Sequence, residues 1–353
     1  LTACGAPAAN TSAPAETKAP AAETTAAAPA ETTAAAPAET QAANGELPEI
    51  SVIIKATDSD FWQQLLVGAL NFDFEHDDVN VTTYGPVSEA DYVEQATILD
   101  GVVVTHPDGI VLAPTLVDNC NAGIEEAAAQ GIPVVIADNT PSTDAYVTVY
   151  ATDAYAAGGQ MAELFLQELE NRGVEPVGVI GLISAMAGAD TLIKRESGFK
   201  DYMAENAPEI TVLEPVYVDN DIPKALTAAE NIYTANQDNL LGYFASNNCT
   251  GDGLAQFMTE NNLGERLVAV VFDSDPAEIT AIREGHMLGT AIQNPYNMGY
   301  LGCQAIYDIA TGAKTAEDFE KFYDTGVSIV TGENVDDEEM AGVIDPFTLK
   351  LYE

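Results

Sequence analysis

The stretch Ser51–Ala69, SVIIKATDSDFWQQLLVGA, predicts a buried strand, a short polar turn and a helix. Its apolar start belongs to a β-branched run over Ile50–Ile54, which favours a strand. After the turn, apolar residues recur at three- and four-residue steps, which is typical of a helix. Ligands of open α/β sheets bind at the carboxyl ends of the strands, where such helices begin. We therefore expect Phe61 and Trp62, at the helix entrance, to lie beside a ligand site.

The same alternation of buried strand and helix continues along the chain and then restarts near residue 177. Strands that are apolar on both faces and alternate with amphipathic helices predict parallel, doubly wound sheets. The sequence therefore predicts an α/β fold of two successive units, each with about five strands. The predicted strands cover residues 50–54, 79–83, 109–113, 132–137, 146–151, 177–184, 210–218, 240–245, 267–272, 288–292 and 327–330.

Residues 1–47 differ from the rest of the chain in composition, since they are almost entirely Ala, Pro, Thr and Glu. A segment without large apolar side chains cannot bury a core, so it is predicted to be a disordered tether. The opening Leu-Thr-Ala-Cys matches a bacterial lipobox, which predicts that Cys4 carries a lipid. The sequence contains no run of about 20 apolar residues that would span a membrane. We therefore expect an extracytoplasmic protein attached to the cell membrane by lipid alone.

The charge and the cysteines exclude several kinds of function. A formal charge of -44 argues against binding nucleic acid through its phosphates. The remaining cysteines, Cys120, Cys249 and Cys303, are widely spaced and predict buried residues rather than disulfides or a metal site. Motifs for phosphate binding, metalloproteases and serine hydrolases are missing from the sequence. We therefore expect neither an enzyme nor a resident metal or cofactor.

Polar side chains follow most of the predicted strands. Planar amide and carboxylate groups can each serve two neighbouring hydroxyls, an arginine offers a fork of donors, and aromatic rings offer flat apolar faces. Together these groups predict a site for a polyol, although any one of them could be an ordinary turn former or helix cap. The residues in question are Asp138, Asn139, Asn220, Asn247, Asn248, Asp273 and Gln293, with Arg195 on the helix after a further strand.

From about residue 47 to 353 the chain resembles the type I periplasmic sugar-binding proteins, in particular the ribose-binding group. The resemblance runs through the chain in order and almost without gaps. Each matching segment is weak alone, but together they are specific. The segments are DSDFWQQLLVGA (58–69), IPVVIADN (132–139), AGADTLIKRESGF (187–199), FASNNCTGDG (244–253), VVFDSDP (270–276) and GTAIQNPYNMG (289–299).

The resemblance implies the fold, the site and the partners. It implies an N-terminal lobe of residues 48–152 plus 294–324 and a C-terminal lobe of residues 153–293 plus 325–353, which close on the sugar about a hinge. Ring stacking is assigned to Phe61 and Trp62. Sugar hydroxyls are assigned to Ser59, Asp138, Arg195, Asn247, Asp273 and Gln293.

Several positions depart from the ribose-binding pattern. Asn139 stands in place of an arginine, Asn220 in place of a phenylalanine, and Ala113 in place of an asparagine. Lys55 stands in place of a small residue and has two interpretations. It could reach the site and favour an anionic or larger ligand, or it could pair with a nearby carboxylate, for which Asp58 is the favoured candidate.

The leading hypothesis is a monomeric solute-binding lipoprotein that captures a sugar and delivers it to the permease subunits of an ABC importer. The alternative is a sensor that binds a sugar-like signal and presents it to a partner protein. A lac-repressor-like regulator is disfavoured, because the Ala/Pro/Thr-rich tail stands where its DNA-binding segment would be. An enzyme on this architecture would need a nucleophile, a metal or a phosphate cradle at the strand ends.

Overall fold

The computed structural model describes residues 47–352. The predicted tether and the predicted lipidation site at Cys4 lie outside these residues. The described chain forms two lobes, each built on a twisted sheet with helices packed on it. This is the predicted type I periplasmic-binding-protein architecture of two doubly wound lobes.

The first lobe is built on a six-stranded parallel sheet, in the order β12-β5-β4-β3-β1-β2. Its helices are α1 (Asp60–Glu75), α2 (Tyr92–Val104), α3 (Asn121–Ala129) and α9 (Pro295–Ala310). Its strands are β1 (Glu49–Ile53), β2 (Asn80–Tyr84), β3 (Gly109–Leu112), β4 (Val134–Ala137), β5 (Val149–Ala151) and β12 (Phe322–Asp324).

The second lobe repeats this plan with the path β13-β11-β10-β9-β6-β7, and β8 also pairs with β6. All its pairings are parallel except that of β13 with β11. Its helices are α4 (Ala154–Asn171), α5 (Asp190–Asn206), α6 (Ile222–Asn236), α7 (Asn248–Glu260) and α8 (Pro276–Arg283). Its strands are β6 (Gly178–Ser184), β7 (Ile210–Val212), β8 (Val216–Tyr217), β9 (Leu240–Ala245), β10 (Val268–Phe272), β11 (Gly289–Gln293) and β13 (Val327–Thr331).

The chain crosses between the sheets after β5, after β11 and between β12 and β13. After β13 it continues through α10 (Ala341–Ile344) and a short 3₁₀ turn, Pro346–Leu349. Residues 325–353 were predicted to belong to the second lobe, but Leu349 and Leu351 hydrogen-bond to Asn71 on α1 of the first lobe. The C-terminal segment therefore contacts both lobes.

Local chemistry explains where the elements depart from the sequence predictions. The strand predicted over residues 210–218 is split into β7 and β8, because Pro215 interrupts it and has no N–H for the ladder. Helix α7 begins at Asn248 rather than near Gly251, because Asn247 and Thr250 form a reciprocal capping box. Strand β12 and helix α8 were not predicted. Strand β12 has two exposed residues and one partly buried residue, and it depends on pairing with β5.

The cysteine predictions agree with the structure, since Cys120, Cys249 and Cys303 are free and buried. Among residues 47–352, no helix is long and apolar enough to cross a membrane. No group of three or more His, Cys, Asp or Glu side chains within the same residues is arranged to hold a metal ion.

Candidate ligand-binding cleft

A cleft between the lobes collects the polar residues that follow the strands. It encloses about 380 Å³, counted out to the part that is open to solvent. Eight of the ten predicted site residues line it. The lining residues are Lys55, Phe61, Trp62, Glu89, Asp138, Asn139, Ala189, Thr191, Leu192, Arg195, Asn247, Asn248, Asp273 and Gln293.

Two carboxylates occupy matching places in the two lobes. Asp138 directly follows β4, Asp273 directly follows β10, and both side chains are buried. Both residues adopt left-handed backbone angles, with φ of 63° and 78°, a conformation that costs energy in most residues other than glycine. Each backbone N–H continues its sheet, donating to Tyr150 O and Ala291 O respectively. The sharp turn after each strand therefore aims a carboxylate at the cleft.

The first-lobe carboxylate is paired with Lys55. The Lys55 ammonium lies 2.5 Å from Asp138 Oδ2, and both side chains are about 5% exposed. The same ammonium lies 4.8 Å from the centroid of the Trp62 ring. The sequence analysis favoured Asp58 as the partner of Lys55, and this is wrong, because Asp58 is exposed on the turn before α1. Lys55 both reaches the cleft and pairs with a carboxylate, so its two proposed roles are not exclusive.

The aromatic wall is held in place by Glu89. Trp62 and Phe61 meet edge to face, with ring centroids 4.7 Å apart. The indole N–H of Trp62 donates to Glu89 Oε1 over 2.6 Å. Burial raises the pKa of Glu89, while Lys55 and the Trp62 hydrogen bond act in the opposite direction. The sequence analysis missed Glu89. The available signal was indirect, since a buried tryptophan N–H usually requires an acceptor.

Arg195 is the buried cation of the second lobe. It lies on α5 with 2% exposure, donates from Nη1 to Ser246 O over 2.6 Å, and stacks 4.1 Å from the centroid of the Phe272 ring. Burial lowers the pKa of Arg195, and the carboxylates of Asp273, Asp138 and Glu89 act in the opposite direction. Helix α4 packs closely against the Arg195 backbone, and Gly158 permits this approach. An added Cβ on Gly158 would lie only 2.1 Å from Arg195 O.

Asp273 is held by neighbours from its own lobe. It accepts hydrogen bonds from Gln293 Nε2 at 2.9 Å and from Asn248 N at 3.2 Å. Burial raises the pKa of Asp273, whereas Arg195 and the Gln293 hydrogen bond lower it. The carboxylate and the guanidinium therefore stabilise each other in a site with little access to water.

Three of the predicted contact residues are engaged elsewhere. Asn139 is fully buried, accepts from Thr191 N of the opposite lobe and donates to Thr115 O. Ser59 and Asn220 lie outside the cleft lining. The Ser59 hydroxyl accepts from Asn248 Nδ2 across the lobes. Asn220 supports the site from behind by accepting from Asn247 Nδ2 over 2.8 Å.

The lobes touch on both sides of the cleft. Besides the Asn139–Thr191 and Ser59–Asn248 contacts, Thr191 Oγ1 donates to Asp138 O, and Val117 N–H donates to Gly188 O. The structure is thus a closed arrangement of the two lobes. The cleft between the lobes offers hydrogen-bond donors, acceptors and an aromatic face, which is the composition of a small-molecule binding site.

Comparison with known proteins agrees with this geometry. A family model for the periplasmic binding protein domain matches residues 50–314. The ribose import binding protein of Bacillus subtilis is 25% identical over 64% of this chain and 71% of its own length. The D-allose-binding periplasmic protein of Escherichia coli is 24% identical over 75% of this chain and 86% of its own length.

Solved structures give the same result. A carbohydrate transporter solute-binding protein from Agrobacterium radiobacter, in complex with D-arabinose, matches with a TM-score of 0.79 and 29% identity. A solute-binding protein of an ABC transporter from Agrobacterium vitis, with bound D-fucose, matches with a TM-score of 0.78 and 30% identity. These matches cover 85% and 84% of this chain and 99% of each structure. The relatives are sugar-binding transport proteins rather than enzymes, and this chain belongs to the periplasmic binding protein family.

Proposed function

We propose that this protein is an extracytoplasmic solute-binding lipoprotein that captures a neutral monosaccharide, or a closely related polyol, and delivers it to an ABC importer. The observation that carries the proposal is the pair of carboxylates, Asp138 and Asp273, which face one small cleft from opposite lobes. Beside them lie the ring of Trp62 and the cations Lys55 and Arg195. Carboxylates accept from vicinal hydroxyls, the cations donate to ring and hydroxyl oxygens, and the ring covers a C–H face.

The charges of the cleft favour a neutral ligand. Lys55 is neutralised by Asp138, and Arg195 lies in the field of Asp273. Glu89 adds a further carboxyl group to the wall. An anionic sugar would therefore meet no uncompensated cation, so no new ion pair would offset the desolvation energy of burying its charge. Relatives named for ribose and allose, and solved relatives with bound D-arabinose and D-fucose, support the same ligand class.

Residue roles follow from the geometry. We assign ring stacking to Phe61 and Trp62, and hydroxyl contacts to Lys55, Asp138, Arg195, Asn247, Asp273 and Gln293. Ser59, Asn139 and Asn220 are assigned to positioning and lobe closure instead, because Ser59 and Asn220 lie outside the cleft lining and the amide of Asn139 is fully buried between two protein partners. Glu89 is assigned to holding the Trp62 ring.

A thermal-shift screen of the full chain tests the ligand class. Pentoses, hexoses, polyols, disaccharides, acidic sugars and nucleosides would be compared at equal concentration. A ligand that binds only the folded state raises stability by about 2.7 kcal/mol at a hundredfold excess over its Kd. We expect a clear rise in Tm with a neutral monosaccharide or polyol.

Asp273→Asn should abolish that rise, because asparagine tolerates the same backbone angle but removes the charge. Asp238→Asn, on an exposed turn of the second lobe, is the matched control and should keep it. A rise with acidic sugars alone would contradict the proposed neutral cargo. A rise with nucleosides and with no sugar would contradict it and favour the sensor alternative.

The anchor and the importer need a test in cells. Cys4→Ser should move the protein from the detergent phase to the aqueous phase when the membrane fraction is partitioned, because the thiol that would carry the lipid is removed. Uptake of the identified sugar should fall in the same strain. Unchanged partitioning would contradict the anchor without affecting the assignment of the cleft.

A further inference from the structure

A second cavity lies on the hinge side of the molecule. It measures about 910 Å³ including the part open to solvent, more than twice the cleft. Its walls come from two of the crossings between the lobes, from the start of α9 and from the C-terminal segment. The lining residues are Ile292, Gln293, Asn294, Tyr296, Asn297, Thr325, Gly326, Val327, Ser328, Glu339, Gly342, Val343, Pro346 and Leu349.

The crossings separate this hinge cavity from the cleft. Within the described residues, only Gln293 lines both. Its Nε2 donates to Asp273 Oδ1 on the cleft side, while its Oε1 is buried and has no hydrogen-bond partner in the described chain. Gln293 is also the last residue of β11, directly before a crossing. The side chain of Gln293 and the end of β11 therefore connect the hinge cavity to the cleft.

Residues 340–351, which we call the C-terminal strap, form the outer wall of the hinge cavity. Their first part belongs to the second lobe, because Met340, Val343 and Ile344 pack on its core. Their last part is fixed to the first lobe by Asn71, whose side chain donates to Leu349 O and accepts from Leu351 N. The strap thus spans the hinge and is anchored on each lobe.

Asn71 is suited to this anchoring role. It is 1% exposed, and its amide also donates to Tyr296 Oη at 3.0 Å, next to the cavity. Its donors and its acceptor are therefore all used to hold the strap and the cavity wall. A buried amide that lost these hydrogen bonds would cost free energy. Asn71 therefore holds the strap in place in the closed arrangement.

The position of the cavity behind the hinge gives it a mechanical role. When two lobes rotate about a hinge, opening the cleft on one side brings the walls on the other side together. We propose that the hinge cavity is the space into which the lobes swing when the cleft opens, so that filling it holds the cleft closed. The strap bounds this space on its outer side, because it runs from the core of the second lobe to Asn71 on the first lobe.

This inference rests on the proposed function only for its effect on sugar affinity. If the closed arrangement is the one that binds sugar, the measured Kd equals the intrinsic Kd divided by the closed fraction. A larger closed fraction without sugar then tightens binding by the same factor. Agreement between the two factors is the quantitative signature of the mechanism.

Gly342→Phe is the variant that tests it. An added Cβ on Gly342 would meet only the side chain of Leu349, at an ordinary contact distance of 3.4 Å. Because Gly342 and Leu349 both line the cavity, we expect a larger side chain at this position to extend into it. Gly101→Phe is the matched control, because it adds the same side chain on exposed α2, where the added Cβ meets no described atom within 4 Å. Gly342→Leu is a smaller filler to use if the phenylalanine variant does not fold.

Spin labels on the two lobes of the full chain would report the interlobe distance by pulsed electron resonance, with and without sugar. We expect Gly342→Phe to increase the closed fraction without sugar, and to tighten sugar binding by the same factor, about fivefold or more. Gly101→Phe should leave both unchanged.

Two results would overturn the inference: folded Gly342→Phe and Gly342→Leu proteins with the distance distribution of the control, or a shift towards the open form. The measurement without sugar stands even if no sugar is found, so a failure of the hinge mechanism and a failure of the proposed cargo remain distinguishable.

Discussion

The two walls of the cleft satisfy their polar groups in different ways. On the first-lobe wall, Lys55 is bound to Asp138, and Trp62 is bound to Glu89, so these side chains use one another. On the second-lobe wall, the Nε of Arg195 and the Oε1 of Gln293 are buried and have no hydrogen-bond partner within residues 47–352. The named polar groups of the first-lobe wall have partners without a ligand, whereas two of those on the second-lobe wall have none.

This difference separates stability from binding. Groups that are paired inside the protein contribute to folding whether or not sugar is present, because breaking the pair leaves a buried charge. A buried donor or acceptor without a partner costs energy until a ligand satisfies it. The first-lobe wall should therefore show its importance in the unfolding of the free protein, and the second-lobe wall in affinity.

Asp138→Asn is expected to have the largest effect, and the effect is on stability. It leaves the Lys55 ammonium buried without its counter-ion, which should lower the free energy of unfolding by about 3 kcal/mol. Asparagine accepts the left-handed backbone at this position, so the loss reports the charge rather than the turn. Urea unfolding of the sugar-free protein measures it.

A double variant provides the control for this experiment. Lys55→Met together with Asp138→Asn removes both charges and should recover most of the lost stability, because a buried pair is often replaceable by uncharged groups. Equal instability of the single and double variants would show that the ion pair is not what holds the first-lobe wall.

Arg195→Lys is expected to act mainly on affinity. Lysine keeps the charge but loses the fork of donors and the stacking on Phe272. Sugar binding should weaken by about 2 kcal/mol or more, roughly 30-fold, as measured by titration calorimetry. The free energy of unfolding without sugar should fall by less than this. A larger loss of stability than of affinity would remove the proposed contrast between the walls.

A pH dependence should come from the acidic residues behind the second-lobe wall. Burial raises the pKa of Asp275 to about 8, and the nearby Asp252 carboxylate adds to this rise. Burial also raises the pKa of Asp252 to about 6, although a hydrogen bond with Asp275 acts in the opposite direction. Burial also raises the pKa of Glu278. The folded protein therefore binds more protons than the unfolded chain between pH about 4 and about 8. The stability that these three carboxyl groups contribute is fully present below this window and is lost as pH rises through it.

We expect Tm to be lower by roughly 3 °C at pH 8.5 than at pH 5. Asp275→Asn should flatten this dependence, because asparagine still caps α8 but does not titrate. The high negative charge of the chain affects both proteins alike, so the difference between their pH profiles reports Asp275. If the pH profile of Asp275→Asn runs parallel to that of the unsubstituted protein, the dependence comes from other groups.

The smallest effect is expected for Glu89→Gln. Glutamine still accepts from the Trp62 N–H, so the ring keeps its orientation and the bond loses only its charge assistance. Sugar affinity should change by less than about fivefold, or about 1 kcal/mol, in a calorimetric titration. A loss as large as that of Arg195→Lys would mean that Glu89 binds the ligand directly.

Periodicity was enough to predict most of the two sheets, because strands apolar on both faces need helices on both sides. The elements it missed include β12, which carries a weak local signal, and α8, whose start signal of Asp275 with Glu278 three residues later is present in the sequence. Strand β12 pairs along β5, and α8 is started by the capping box of Asp275 and Glu278. A short exposed strand such as β12 has no periodicity to read, whereas α8 buries Glu278, Ile279, Ala281 and Ile282 at helical spacing, a pattern that is present in the sequence.

The sequence by itself determined the two-lobed α/β architecture and the group of residues at the strand ends, since in parallel sheets all those ends meet at one edge. Only the tertiary structure decided which partner each side chain takes. Lys55 binds Asp138, 83 positions away, rather than the nearby Asp58. The hinge cavity and the anchoring of the strap by Asn71 also appear only when residues from distant parts of the chain meet. Hydrogen bonds and ion pairs are short-ranged, so sequence proximity says little about them once the chain has folded.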